Sequence, residues 1–222
     1  MMKDIKDSML MNWLDVSIIQ VFILFLNRLC NQFKIRSIGF ACPTQICNSM
    51  LKRNATNVIS YFIHVMEQNR DKQFILAPYH QQSHWLLLVI CMRSKSICFL
   101  YPLPSDRDIG EIKVSINLAF RSIPTNGRIK NIDWKPCKFV VMARANYFGG
   151  EFVSSIILDC GVFAMRHMET YVGQSIASWD CGLPRGDARV LLALCVQYVF
   201  EILMFQSNTC LQAIVSSVGG GR

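Results

Sequence analysis

Between residues 73 and 101, three short apolar runs follow one another with almost no chain between them, and this spacing constrains the fold more than any other feature. Gln73–Ala77 ends at Pro78. Trp85–Met92 is unbroken and rich in branched residues. Ser96–Tyr101 follows after Arg93-Ser94-Lys95, which reads as a hairpin turn. Each run has strand length rather than helix length, and a strand that is apolar at every position is buried on both faces. The segment therefore predicts an antiparallel or mixed sheet.

The flanking sequence reads as helix. Leu14–Phe33 places Ile18, Val21, Phe22, Phe25 and Leu29 at helical spacing, with Asp15 or Ser17 as its cap. Asn57–Gln68 repeats the pattern through Ile59, Phe62, Ile63 and Met66, and Asp108–Arg121 through Ile109, Ile112, Ile116 and Ala119. Ile38–Cys47 is short and mixed, and Pro43 is expected to break any helix there. Asn131–Lys138 reads as a further strand around Trp134, Cys160–Tyr171 as a helix, and Pro184–Phe205 as a last long helix led by Asp187. Helices, then a sheet, then helices describe an α+β domain with one core. The 222 residues, 52% hydrophobic and 17% charged, are enough to build it. Residues 1–12 read as a lead-in, 13–205 as the domain and 206–222 as a flexible tail.

Several function classes lose support at this point. The formal net charge of +8 comes from scattered Lys and Arg with no dense run. Nucleic-acid binding thus has charge but no motif behind it, and an acidic protein partner fits equally well. Among the ten cysteines, Cys30, Cys91, Cys98 and Cys195 lie in apolar runs and read as small buried hydrophobes of a reducing compartment, nuclear or cytoplasmic. Cys42 and Cys47 have no His or second pair to complete a zinc site, and His80 and His84 sit on no helix that would pair them as ligands, so no metal is expected. Val16–Leu26 is about half the ~20 residues of a membrane span and reads as a buried helix. His167 reads as facing solvent, and Trp134 as a core or loop anchor. Arg128, Lys130, Arg185 and Arg189 read as solvated surface.

Two strings carry chemistry. His84-Trp85 opens a strand, preceded by Ala77-Pro78-Tyr79-His80. Asp159-Cys160-Gly161-Val162-Phe163 opens a helix in this reading. The unpaired amides and dipole of a helix N-terminus favour a thiolate, the working form of a cysteine nucleophile. A rigidly held His can accept the thiol proton and return it to a leaving amine. Gly161, with no side chain, lets a substrate backbone approach.

Together the two strings resemble the SUMO-specific (sentrin-specific, ubiquitin-like-protein) cysteine proteases, relatives of the adenovirus protease adenain. The resemblance runs from about Trp13 to about Phe205. The longer string Asp159-Cys160-Gly161-Val162-Phe163-Ala164-Met165-Arg166-His167-Met168-Glu169-Thr170-Tyr171 is especially similar to plant members, including copies multiplied by transposons. The resemblance implies a papain-like fold with helices packed on a small mixed sheet. It implies Cys160 as nucleophile, His84 as general base, and Trp85 as the wall against a narrow diglycine tail. The implied reaction is hydrolysis of a peptide or isopeptide bond after the Gly-Gly of a ubiquitin-like protein, through a thioester, with no cofactor. The implied partners are SUMO or a similar protein and its conjugates.

The sequence departs from the family pattern in three places. Where the family has an Asp that orients the His, Leu100-Tyr101-Pro102-Leu103 puts Tyr101, a neutral phenol near pH 7. Asp106 and Asp108 lie nearby, on a loop that would have to fold back to serve. Where the family has an oxyanion-donating Gln, the aligned residue is Ser154. Residues 139–158 read as an atypical insert. These departures favour a second reading, a catalytically inactive pseudoprotease that binds a ubiquitin-like protein.

Overall fold

The computed structural model describes residues 15–82, 84–101, 109–123, 133–139, 152–174, 179–183 and 188–204. Helix α1 (Val16–Gln32) starts at Asp15, whose carboxylate accepts from the Ser17 N–H at 2.8 Å, as a side-chain N-cap does. Its apolar face is buried through Ile18, Ile19, Phe22, Ile23 and Leu26. A short strand β1 (Ile38–Phe40) leads to α2 (Pro43–Ile46). Pro43 was expected to break a helix; it begins one instead. At the first helical position its missing N–H has no partner to lose and its fixed φ suits the turn.

Helix α3 (Asn48–Gln68) is bent at Asn54, which leaves helical geometry at φ −158°. The Asn54 side chain then accepts from the Asn57 N–H at 3.1 Å, so it caps the second segment. Strands β2 (Phe74–Gln81), β3 (His84–Cys91) and β4 (Ser96–Tyr101) follow, then α4 (Gly110–Ser122), β5 (Asp133–Phe139), α5 (Phe152–Thr170) and α6 (Ala188–Leu203). Among the described residues, no helix is long and apolar enough to cross a membrane. The expected lead-in 1–12 and tail 206–222 lie outside the described residues.

The five strands form one mixed sheet in the order β1-β2-β3-β4-β5. β2, β3 and β4 are mutually antiparallel, and the outer strands β1 and β5 run parallel to their neighbours. Two prolines lie inside strands, both where the ladder tolerates them. Pro78 was expected to end β2. The Leu76 C=O accepts from Ala41, so Leu76 and Pro78 both turn their backbone groups toward the β1 side. β1 pairs only as far as Leu76, and among the described residues no strand waits for the N–H that Pro78 lacks. Pro136 sits on the edge strand β5 where the register slips between Cys98 and Leu100, at a bulge.

Side-chain alternation divides the sheet between two cores. Leu76, Trp85, Leu87, Val89, Cys98 and Leu100 face α1, α5 and α6. Ile75, Ala77, Tyr79, Leu86, Leu88, Ile90, Ile97 and Tyr101 face α3 and α4. β3 is buried on both faces along nearly its whole length, as its unbroken apolar run predicts. Burying each Leu, Ile or Val of this strand stabilises the fold by roughly 1.5–3 kcal/mol before the cost of ordering the chain.

Of residues 139–158, expected to be an atypical insert, 140–151 lie outside the described residues. Phe139 ends β5, and the stretch from Phe152 forms the first half of α5. The eight cysteines within the described residues whose thiols are defined are all free, and six of them are buried.

The Asp15 cap gives a direct test. Asp15→Ala is expected to cost about 1 kcal/mol in urea unfolding and Asp15→Asn only a small part of that, because Asn restores the acceptor. Equal losses would show that the cap is not what holds the start of α1.

Candidate active site

His84 is the first residue of β3. It pairs with Gln81 across the β2–β3 connection, and Gln82 takes φ +47°, as tight hairpin loops require. His84 is therefore anchored by a closed turn on one side and a strand buried on both faces on the other. The residue is only 9% exposed.

Tyr101 is the last residue of β4. Leu87 pairs with Leu100, so Tyr101 shares a sheet face with His84, diagonally across the strand pair. The two rings meet edge to face at 6.1 Å between centroids, and the Tyr101 hydroxyl lies 3.2 Å from His84 Nδ1. Tyr101 thus occupies the place where an orienting carboxylate would stand. A carboxylate can only accept, so it forces the proton onto Nδ1 and leaves Nε2 as the base. A phenol both donates and accepts, so it fixes the ring without fixing the tautomer, and it brings no charge to stabilise an imidazolium. Asp106 and Asp108 lie outside the described residues.

Cys160 comes from the opposite side of the sheet. Helix α5 packs across β3, and the Trp85 backbone N–H donates to Cys160 Sγ at 3.2 Å. The thiol is thereby fixed at the peptide that joins His84 to Trp85, at the start of the strand. A hydrogen bond to sulfur strengthens when the sulfur carries charge. Cys160 is 2% exposed.

Cys160 was expected at a helix N-terminus, and here the structure differs. α5 begins at Phe152, eight residues earlier, so Cys160 lies more than two turns inside. Nothing in Val153-Ser154-Ser155-Ile156-Ile157-Leu158 breaks a helix, and the helix runs on through Asp159. The dipole and free amides act within the first turn, so they do not reach this sulfur. Ser154 lies in that first turn rather than in a loop before the cysteine. Gly161 is a buried position of the same helix.

Trp85 is 2% exposed and belongs to the core between sheet and α5. Its indole packs on His80 with ring centroids 4.8 Å apart. Burial lowers the His80 pKa, with the Asp15 charge acting the other way. Among the described residues no His, Cys, Asp or Glu cluster forms a metal-binding group. Trp134 lies on β5, Arg189 is exposed on α6, and Arg128, Lys130 and Arg185 fall outside the described residues.

His167 was expected on a solvated face and is wholly buried. It stacks edge-on against Trp179 at 5.2 Å and lies 6.2 Å from Phe163. Neither ring nitrogen has a hydrogen-bond partner among the described residues. The signal was present in the sequence: Phe163 and Tyr171, four residues to either side, place position 167 on an apolar stripe. Below it, Arg166 and Tyr198 both hold Glu169 Oε2, at 2.8 and 2.7 Å, and Arg166 Nε donates to the Cys181 carbonyl at 2.8 Å. This cluster ties α5 to α6 and to the 179–183 segment, which fixes the helix that carries Cys160.

The Trp85 N–H to Cys160 Sγ contact brings the thiol to the peptide that follows His84. Residues 2–125 match the family model described as "Ulp1 protease family, C-terminal catalytic domain", and the chain belongs to that family. The matched stretch contains His84, Trp85 and Tyr101 and stops before Cys160. The fold is also that of solved members. The yeast Ulp1 protease domain in complex with Smt3, the yeast ortholog of SUMO, is 13% identical with a TM-score of 0.56 over 90% of this chain and 80% of its own. A de-sumoylating protease is 12% identical with a TM-score of 0.60 over 97% of this chain and 91% of its own. The Ulp1-like SUMO protease catalytic domain of Chaetomium thermophilum is 14% identical, with a TM-score of 0.51 over 86% and 72%. No curated protein sequence matches the chain.

Burial pushes the His167 pKa down to about 3, against an ordinary value near 6.5 in the unfolded chain. Between those values the unfolded chain binds a proton that the folded chain does not. Stability therefore falls as pH drops from about 6.5 toward 3, by about 2 kcal/mol at pH 5. Urea unfolding of His167→Met between pH 7 and 5 is expected to show a shallower loss than the unsubstituted chain; identical slopes would show that His167 is not the group that titrates.

Proposed function

We propose that the chain is a cysteine peptidase that cleaves the peptide or isopeptide bond after the Gly-Gly tail of SUMO or another ubiquitin-like protein. The catalytic domain spans 13–205, and the protein acts in a reducing compartment, the nucleus or cytoplasm. The observation that carries this reading is the Trp85 N–H to Cys160 Sγ contact, which seats a thiol beside His84 in a member of this family. His84 takes the thiol proton, Cys160 attacks the carbonyl of the last glycine, and the protonated His84 returns the proton to the leaving amine. Water then hydrolyses the thioester, with His84 again acting as base. We assign the wall of the channel for the tail to Trp85 and its floor to Gly161, both of which are buried here, so the tail has to displace what covers them. A glycine pair has no side chains and passes where any larger residue would be stopped.

Tyr101 favours a second reading, a pseudoprotease that binds a ubiquitin-like protein without turning it over. Its hydroxyl on His84 Nδ1 supplies no charge, and in the analogous serine triad an uncharged third residue lowers turnover by about ten thousand-fold. The interior position of Cys160 on α5 acts in the same direction.

Both readings are separated by turnover of a SUMO precursor carrying a short C-terminal extension. The enzyme reading expects slow cleavage after Gly-Gly, abolished by Cys160→Ala and reduced at least a hundred-fold by His84→Ala. Tyr101→Asp is expected to raise the rate ten-fold or more, provided circular dichroism shows the variant folded. Stoichiometric SUMO binding with no cleavage by either the native chain or Tyr101→Asp would leave the pseudoprotease.

A further inference from the structure

Local preference and structure disagree along the first half of α5. The helix runs unbroken from Phe152 to Thr170. Six of the seven residues before Asp159 are weak helix formers: Phe152, Val153, Ser154, Ser155, Ile156 and Ile157. Branched and aromatic side chains lose rotamers against the preceding turn, and serine hydroxyls compete for the backbone. Asp159 is weak inside a helix and strong at its cap, and Gly161 weakens a helix interior. The second half has the opposite character. Val162, Phe163, Ala164, Met165 and Met168 are buried in the core, and Arg166 and Glu169 are tied to the Cys181 carbonyl and to Tyr198. Packing therefore holds the second half, and a segment of weak formers at a helix end opens before the rest.

This disagreement falls beside the thiol. A helical side chain leans back over the turn N-terminal to its own Cα. The turn formed by residues 156–159 thus flanks Cys160, which is 2% exposed. The long helix also keeps the sulfur away from the free amides and dipole of a helix start. Unwinding residues 152–158 changes both at once: Asp159 becomes the cap and Cys160 the first helical residue. The Trp85 N–H reaches Sγ from β3, so that contact does not depend on residues 152–158.

We propose that α5 has two forms, a resting helix that starts at Phe152 and encloses the Cys160 thiol, and a working helix that starts at the Asp159 cap and presents it. The proposal rests on the reading of Cys160 as the nucleophile and adds its regulation. A substrate tail that reaches the sulfur only in the working form shifts the population toward that form.

The test uses the full chain without substrate, so it succeeds or fails apart from peptide cleavage. Alkylation of Cys160 by iodoacetamide is followed by mass spectrometry across a pH series. Ile156→Pro does not fit inside the resting helix and lies outside the working one. It is expected to alkylate about ten-fold faster than the native chain at neutral pH, with the rate profile moved about one pH unit to the acid side, as a thiol at a helix start requires. Ser154→Ala with Ser155→Ala strengthens the resting helix and is expected to slow alkylation about three-fold or more. In the native chain, the amides of residues 157–159 are bonded only in the resting helix. They are expected to exchange about a hundred-fold faster than those of residues 164–168.

The proposal is overturned if the two sets of amides are equally protected, or if Ile156→Pro leaves the alkylation rate unchanged. It is equally overturned if Ile156→Pro speeds alkylation without moving the profile, because local unfolding exposes a thiol without placing it at a helix start. If circular dichroism shows Ile156→Pro unfolded, the exchange rates and the serine pair decide, and unchanged alkylation in that pair overturns the proposal. A chain that meets these expectations yet cleaves no SUMO precursor keeps the two forms and loses the peptidase reading.

Discussion

The structure depends on β3 being buried from both sides. Its odd-numbered residues from Trp85 enter the core under α1, α5 and α6, and its even-numbered residues enter the core under α3 and α4. Such a strand has no polar face to set its register, so a one-residue slip would not be punished by exposure alone. The register is held instead at the strand's first two residues: by the Gln81–His84 pairing, the Tyr101–His84 bond and the Trp85–Cys160 bond. Those same contacts assemble the candidate site. Fold specificity and chemistry thus rest on one short stretch, and a slip that exchanged His84 and Trp85 would lose both.

The site is built from two sides of one sheet. Tyr101 and His84 belong to the face covered by α3 and α4, whereas Cys160 arrives on α5 from the other. They come near one another at the start of β3, where the Trp85 N–H donates to Cys160 Sγ. The Arg166–Glu169–Tyr198 cluster holds the depth of α5, so the position of the thiol depends on contacts well away from it.

The legible parts of the sequence were those with strong periodicity. The three central strands, α1 with its Asp15 cap, and α4 all follow from the spacing of apolar residues, because burial sets that spacing. Proline positions misled at Pro43 and Pro78. A proline's effect depends on whether its N–H would have had a partner, which only the neighbouring strand or turn decides. His167 was misplaced because a polar residue was read by its type rather than by the stripe it shares with Phe163 and Tyr171. The start of α5 was misplaced because Asp159 looks like a cap, and a cap works only if the chain before it is not helical. His84, Trp85 and Cys160 were named from the sequence; the structure shows the Trp85 N–H donating to Cys160 Sγ, and their catalytic roles belong to the proposal. The position of Tyr101 on Nδ1 needed the β3–β4 register.

The most direct measurement of the central claim, that the thiol of Cys160 is delivered to the tail site beside His84, is covalent capture by SUMO bearing an electrophile in place of its terminal carboxylate. Mass spectrometry of the adduct is expected to find the label on Cys160 alone, among ten cysteines, and to find it slowed in His84→Ala. Labelling of another cysteine, or of Cys160 at an unchanged rate without His84, would contradict the account.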